Sequence, residues 1–185
     1  MNDGHQFCDS PEWRAVVREE IIPWALGEVD LGDDVLEIGP GYGATTEVFA
    51  EMLPRITSVE IDPGLASRLQ ARYAGTHVEV VEGDGTRLPF PDGRFTAAVC
   101  FSMLHHVPSP ALQDRLFSEA ARVLRPGAPF VAVDGLESDA VREFHAGDTY
   151  QPVDPSTLET RLTGAGMRDV EVRIGDYGWT ALARG

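Results

Sequence analysis

The run Val35 to Thr46, VLEIGPGYGATT, joins a carboxylate, Glu37, to glycines at 39, 41 and 43. Glycines at the end of an apolar run let backbone approach a ligand closely, and a following helix aims its free amides at it. Gly39, Gly41 and Ala44 meet the dinucleotide spacing G-x-G-x-x-G/A, so spacing alone leaves the ligand open. Glu60 closes a second apolar run about 20 residues on, where an acid grips a ribose. Three further features narrow the choice. Glu37 would crowd a pyrophosphate. Asp84, in VVEGDGTRLPF, is placed after a third apolar run to accept from an adenine amino group. No basic residue lies in the glycine loop. The implied ligand carries adenine and ribose but little negative charge.

The elements that position these residues follow from periodicity. Trp13, Val16, Val17, Ile21 and Trp24 recur at helical spacing, with Ser10 as N-cap, Pro11 at the first position and Pro23 expected to kink or end the helix. Strand-like runs DVLEIG, ITSVEID, HVEVVEGD, FTAAVCFS and PFVAVDG alternate with helical segments, which specifies a parallel sheet covered on both faces. The end differs: DPSTLETRLTGAGM reads as a capped helix, and DVEVRI and YGWTALAR as a hairpin turning at Gly175 and Asp176. The expected fold is α/β, doubly wound, with a seven-stranded mostly parallel sheet and a C-terminal antiparallel hairpin. One domain over 1–185 is expected, with an N-terminal arm and helix at 1–30 and a cap segment at 135–154.

Composition excludes several classes. All 15 basic residues are arginine, so Schiff-base chemistry, a Walker A loop and a Tyr/Lys dehydrogenase are ruled out. The net charge of −15 argues against nucleic-acid and anionic-membrane partners. Cys8 and Cys100 form no metal spacing, the start reads as no signal peptide, and a cytoplasmic protein is expected.

With VLEIGPGYG, VEID, EGDGTRLPFPDGRFTAAVCFSMLHHV and RVLRPGAPFVAVDG in this order, the chain resembles class I S-adenosylmethionine-dependent methyltransferases, densely from Asp34 to Asp134. The resemblance implies S-adenosyl-L-methionine as cofactor. Gly39, Pro40, Gly41 and Gly43 would line its methionine and ribose, and Glu60 and Ile61 its ribose. Asp84 would take the adenine amino group between Gly85 and Thr86, with Phe101 and Ser102 as a wall. Glu37 would orient the loop or reach the ammonium group through water.

On the acceptor side, His145, His106 and His105 are the catalytic candidates, with His145 first because it lies in the cap beside Asp148 and Tyr150. Glu12 and Trp13, with Tyr150, are candidates to bind a sugar-like acceptor. His5 is a candidate for a lid, and His77 for a structural role. No metal is expected; Asp134, Glu137 and Asp139 are the only carboxylates considered for one. No Asn/Asp-Pro-Pro-Tyr stretch follows the fourth strand, which disfavours amino-group methylation of DNA bases. The expected reaction is methyl transfer to a hydroxyl oxygen of a small polar molecule. The alternatives are a quinone- or lipid-like C- or O-acceptor, or a non-catalytic cofactor-binding subunit. The short cap leaves room for a second copy to complete the pocket as a homodimer.

Overall fold

A computed structural model describes residues 7–185. Seven strands form one sheet: β1 (Val35–Ile38), β2 (Ile56–Glu60), β3 (Val78–Glu82), β4 (Ala97–Phe101), β5 (Pro129–Asp134), β6 (Arg168–Gly175) and β7 (Gly178–Arg184). Their spatial order is β3-β2-β1-β4-β5-β7-β6. The first five pair in parallel, and β7 runs antiparallel between β5 and β6. The order reverses between β1 and β4, which opens a crevice at the carboxyl ends of these strands.

Period-2 alternation divides the central strands between two cores. Leu36, Ile38, Ala98, Cys100, Phe130 and Ala132 face α5 (Pro110–Val123) and α7 (Leu158–Gly164). Val35, Ala97, Val99, Val131 and Val133 face the opposite layer. That layer contains α1 (Pro11–Val16), α2 (Ile22–Leu26) and α3 (Ala44–Met52). Helix α4 (Pro63–Arg72) follows β2, capped by Asp62, whose Oδ1 accepts from the amides of Gly64 and Leu65. Helix α6 (Asp139–Phe144) lies in the cap segment. Among the described residues no helix is long and apolar enough to cross a membrane.

Of the two outcomes expected at Pro23, a kink or an end, the end needs correction. The N-terminal helix neither ends nor breaks there; it widens into a π turn over Val17–Ile21, with the Ile22 amide donating to the Val17 carbonyl. A proline ring collides with the carbonyl four residues back and offers no N–H, and a wider turn just before it accommodates both. The helix ends at Gly27, whose φ is 53°.

Trp179 on β7 is fully buried in the core against α5 and α7. Trp179→Ala is expected to cost about 3–5 kcal/mol of unfolding free energy, read from urea titration. A loss under about 1 kcal/mol would mean that the hairpin does not share the main core.

Candidate functional site

A cavity of about 680 Å³ opens at the carboxyl ends of β1, β2, β4 and β5, within the usual ligand-pocket range of roughly 300–1,000 Å³. One end is the glycine loop. Gly39, with φ 72°, packs so tightly that a Cβ there would come within 2.7 Å of the Met103 side chain. Gly39, Pro40 and Gly41 form part of the lining, as do Glu60, Ile61, Asp84, Gly85, Thr86, Phe101 and Ser102.

Two residues expected to touch the cofactor do not line the cavity. Glu37 alternates with Leu36 and Ile38, so its side chain points to the α3 face. There it is 2% exposed and accepts from three hydroxyls: Thr45, Thr46 at 2.7 Å and Ser58 at 2.6 Å. Burial pushes its pKa up, and these hydroxyls partly offset that. Glu37 therefore ties the first turn of α3 to β2, away from the cavity. Gly43 is the N-cap of α3 with φ 80°; a Cβ would meet Leu69 Cδ2 at 2.6 Å. Its missing side chain serves the packing of α3 against α4.

Glu60 is the pivot of the glycine-loop end. Its Oε2 accepts from the Gly41 amide and its Oε1 from the Asp62 amide, both at 2.9 Å. Burial raises its pKa, against the pull of those amides. Asp84 is exposed, and its Oδ1 accepts from the Thr86 amide at 2.8 Å, which fixes the carboxylate at the rim. No arginine lines the cavity among the described residues. This donor and acceptor set suits a nucleoside without phosphates: two acids, a glycine floor with open space at the Gly41 Cβ position, and the Phe101 ring. Arg14 fastens the N-terminal helix over this end, donating to Glu47 at 2.8 Å, Asp9 at 2.7 Å and the Tyr42 carbonyl at 3.2 Å.

The other end gathers the histidines. His105 and His106 lie on a 3-10 turn, Leu104–His106, just past β4, and His145 is the C-cap of α6. All three line the cavity with Tyr150, although His145 comes from a distant part of the chain. The rings of His145 and Tyr150 stack, with centroids 4.7 Å apart and an interplanar angle of 19°. Burial raises the Tyr150 pKa, so its phenol keeps its proton at neutral pH.

Asp134, at the end of β5, accepts from the His105 amide at 3.0 Å, from His105 Nδ1 at 2.6 Å and from the Gly135 amide at 2.8 Å. Its pairing with His105 is not legible in the sequence, although its place at a strand's carboxyl end is a signal. Gln113 is a second such residue. Fully buried on α5, its Nε2 donates to the carbonyls of Leu104 and Gln151. It thus ties the histidine turn to the cap.

The pair expected to bind a sugar-like acceptor separates. Trp13 lines the cavity, but its neighbour Glu12 is exposed and does not. Adjacent helical residues point about 100° apart. Trp24 and Trp179 lie outside the lining, and His77 is exposed with Nε2 on the Ala50 carbonyl at 2.9 Å. Among the described residues Asp134, Glu137 and Asp139 form no cluster of metal-ligating groups; Glu137 pairs with Arg142 and Asp134 with His105. His5 lies outside the described residues.

Glu60 gives a pH dependence of known sign. A carboxyl group whose folded pKa is raised stabilises the fold while protonated, and this contribution is lost as pH rises through the folded value. The stability of wild type relative to Glu60→Gln is therefore expected to fall as pH rises from the ordinary carboxylate range toward 7. Urea titrations of both proteins across that range check it; a parallel pair of curves would remove the burial effect.

A protein-family model described as "Methyltransferase domain" matches residues 36–132. A probable S-adenosylmethionine-dependent methyltransferase of Mycolicibacterium smegmatis is 27% identical over 175 residues, covering 85% of this chain and 66% of the relative. The chain thus spans just under two-thirds of that relative's length. Among solved structures, an S-adenosylmethionine-dependent methyltransferase from Archaeoglobus fulgidus aligns with a TM-score of 0.76 at 17% identity, covering all of both chains. A chain from the complex between the Haloferax volcanii Trm112 methyltransferase activator and a methyltransferase aligns at 0.77 and 15% identity, covering 100% of this chain and 98% of that one. These structural likenesses concern the fold alone. With the matched model spanning more than half of its length, this chain belongs to the methyltransferase domain family, in the class I S-adenosylmethionine-dependent group.

Proposed function

We propose that this protein transfers a methyl group from S-adenosylmethionine to a hydroxyl oxygen of a small acceptor. The observation that carries the oxygen preference is the His105–Asp134 pair at the cavity wall, 2.6 Å between Nδ1 and Oδ1. When bound, the cofactor supplies an electrophilic methyl on a sulfonium. Glu60 and Asp84 hold its nucleoside, and the glycine loop gives it a close backbone floor. Methyl transfer is an in-line displacement, so the acceptor half has to align an oxygen and receive its proton. Asp134 keeps the His105 proton on Nδ1, which leaves the lone pair on Nε2 to accept from the acceptor. His145 and His106 stand beside it, and Tyr150 offers a phenolic donor.

The mouth refines the acceptor class. Phe7, Leu112 and Phe144 are exposed at the lining, and Trp13 adds a ring. With Glu12 turned away, this favours a hydroxyl carried on an apolar body, such as a phenol (pKa about 10), over a sugar. It brings the quinone-like alternative closer. The acidic balance of the chain supports a small molecule over RNA as acceptor. Cys8 and Cys100 are free thiols, in keeping with a cytoplasmic location.

Calorimetric titration with S-adenosylhomocysteine and, in parallel, NAD(H) is the first test: micromolar binding of the former alone supports the reading, and binding of NAD(H) instead overturns it. Glu60→Ala is expected to weaken that binding about 10- to 100-fold, the loss of a charged hydrogen-bonding partner; unchanged affinity would remove the ribose contact. Asp134→Asn and His105→Ala are expected to lower kcat about 10²- to 10⁴-fold toward a phenolic acceptor, with cofactor affinity nearly unchanged. Full turnover by both variants would show that no such base is used.

A further inference from the structure

The three cavity histidines do more than line one wall. The ligand-capable atoms of His105, His106 and His145 all lie within 4.8 Å of one another. Their ring centroids are 4.2 Å apart for 105–106, 4.7 Å for 105–145 and 5.3 Å for 106–145. Tetrahedral zinc with Zn–N bonds of about 2.0–2.1 Å sets its nitrogen ligands about 3.3 Å apart, so shifts of about an ångström bring these atoms into range.

A second, independent observation concerns the other nitrogen of each ring. His105 Nδ1 meets Asp134 Oδ1 at 2.6 Å, His106 Nδ1 meets the Thr149 carbonyl at 3.2 Å, and His145 Nδ1 meets the Val141 carbonyl at 2.7 Å. A carbonyl or carboxylate oxygen only accepts, so each neutral ring carries its proton on Nδ1 and its lone pair on Nε2. An oxygen acceptor behind each imidazole is the arrangement that orients metal-bound histidines and raises their basicity. Here it occurs three times in one cluster, once with a buried carboxylate.

We propose that His105, His106 and His145 form a three-histidine site for a divalent first-row transition metal, with Asp134 as the outer-shell carboxylate. Three imidazoles suit zinc, cobalt or nickel better than magnesium or calcium, which favour oxygen ligands. All three histidines line the cavity, so the remaining coordination positions of a bound ion would open onto it. Resting on the oxygen-methylation reading, the site defines an acceptor with two adjacent oxygens, a vicinal diol or hydroxy-carbonyl group that chelates the ion. Coordination lowers the hydroxyl pKa: the O–H bond breaks, its proton passes to water, and the electron pair stays on oxygen as the nucleophile. In the metal-loaded protein this replaces proton transfer to His105, which remains the route in the metal-free form.

The test uses the full chain, purified without a histidine tag and freed of metal by chelation. Titration with Co²⁺ is expected to give the visible absorption of four- or five-coordinate cobalt at one equivalent, with zinc displacing it at micromolar or tighter affinity. His145→Ala and the half-exposed His106→Ala are each expected to weaken cobalt binding at least 10-fold. Asp134→Asn is expected to weaken it about 10- to 100-fold, while His77→Ala leaves it unchanged. Thermal melts establish that each variant is folded. Absence of a cobalt spectrum up to millimolar metal, or equal binding by folded His106→Ala and His145→Ala, overturns the site. Titration of the same metal-free protein with S-adenosylhomocysteine separates the two readings: cofactor binding without cobalt binding removes only the metal site, and cobalt binding without cofactor binding removes only the methyl-transfer reading.

Discussion

The buried carboxylate of Glu37 is the constraint on which the glycine-loop end of the cavity depends. Removing an ionised carboxylate from water costs several kcal/mol after relaxation, and here three hydroxyls from two elements offset part of that cost. Thr45 and Thr46 belong to the first turn of α3, and Ser58 is the register partner of Glu37 on β2. One side chain therefore fixes the end of β1, the start of α3 and the alignment with β2. The glycine loop spans these points and has little freedom left. Its Gly41 amide is then taken by Glu60, the next acid outward. The two acids form a relay of position: the inner one shapes the loop, and the outer one joins that loop to the cavity.

This relay explains which residues were legible in the sequence. The strand-end acids Glu60 and Asp84 stood out because a parallel sheet presents its carboxyl ends to ligands, and both line the cavity. The parallel sheet and the hairpin followed from alternating periodicities. Glu37 was legible as unusual, but its role turned on side-chain direction, which depends on its strand parity relative to α3. Glu12 and Trp13 show the same limit on a helix: adjacent in sequence, they face apart. The helix through Pro23 shows another, since a proline's usual effect was absorbed by a wider turn that local propensity does not announce.

The acceptor half was less legible because it is assembled from contacts between distant positions. His105 depends on Asp134, which lies beyond α5 on another strand. The cap is drawn to the histidine turn by two routes, Gln113 bridging Leu104 and Gln151, and the Gln151 amide donating to the His105 carbonyl at 2.7 Å. Arg161 on α7 donates to Gln113 Oε1 at 2.9 Å, so the bridge is anchored from the neighbouring helix of the same layer as well. None of these pairings leaves a periodic or spaced signature.

The two halves therefore differ in how their geometry is secured. The glycine-loop end is set by the sheet itself, through register, strand-end acids and a tight loop. The acceptor half rests on a buried polar bridge, and such networks are demanding because an unpaired member in a low-dielectric interior is costly. Here that demand has a functional consequence. Gln113, Asp134 and Arg161 fix the histidine turn relative to β4, whose Phe101 and Ser102 also line the cavity. The spacing between the histidine turn and the glycine-loop end of the cavity is consequently governed by α5 and the ends of two adjacent strands, with the cap segment closing over a geometry already determined beneath it.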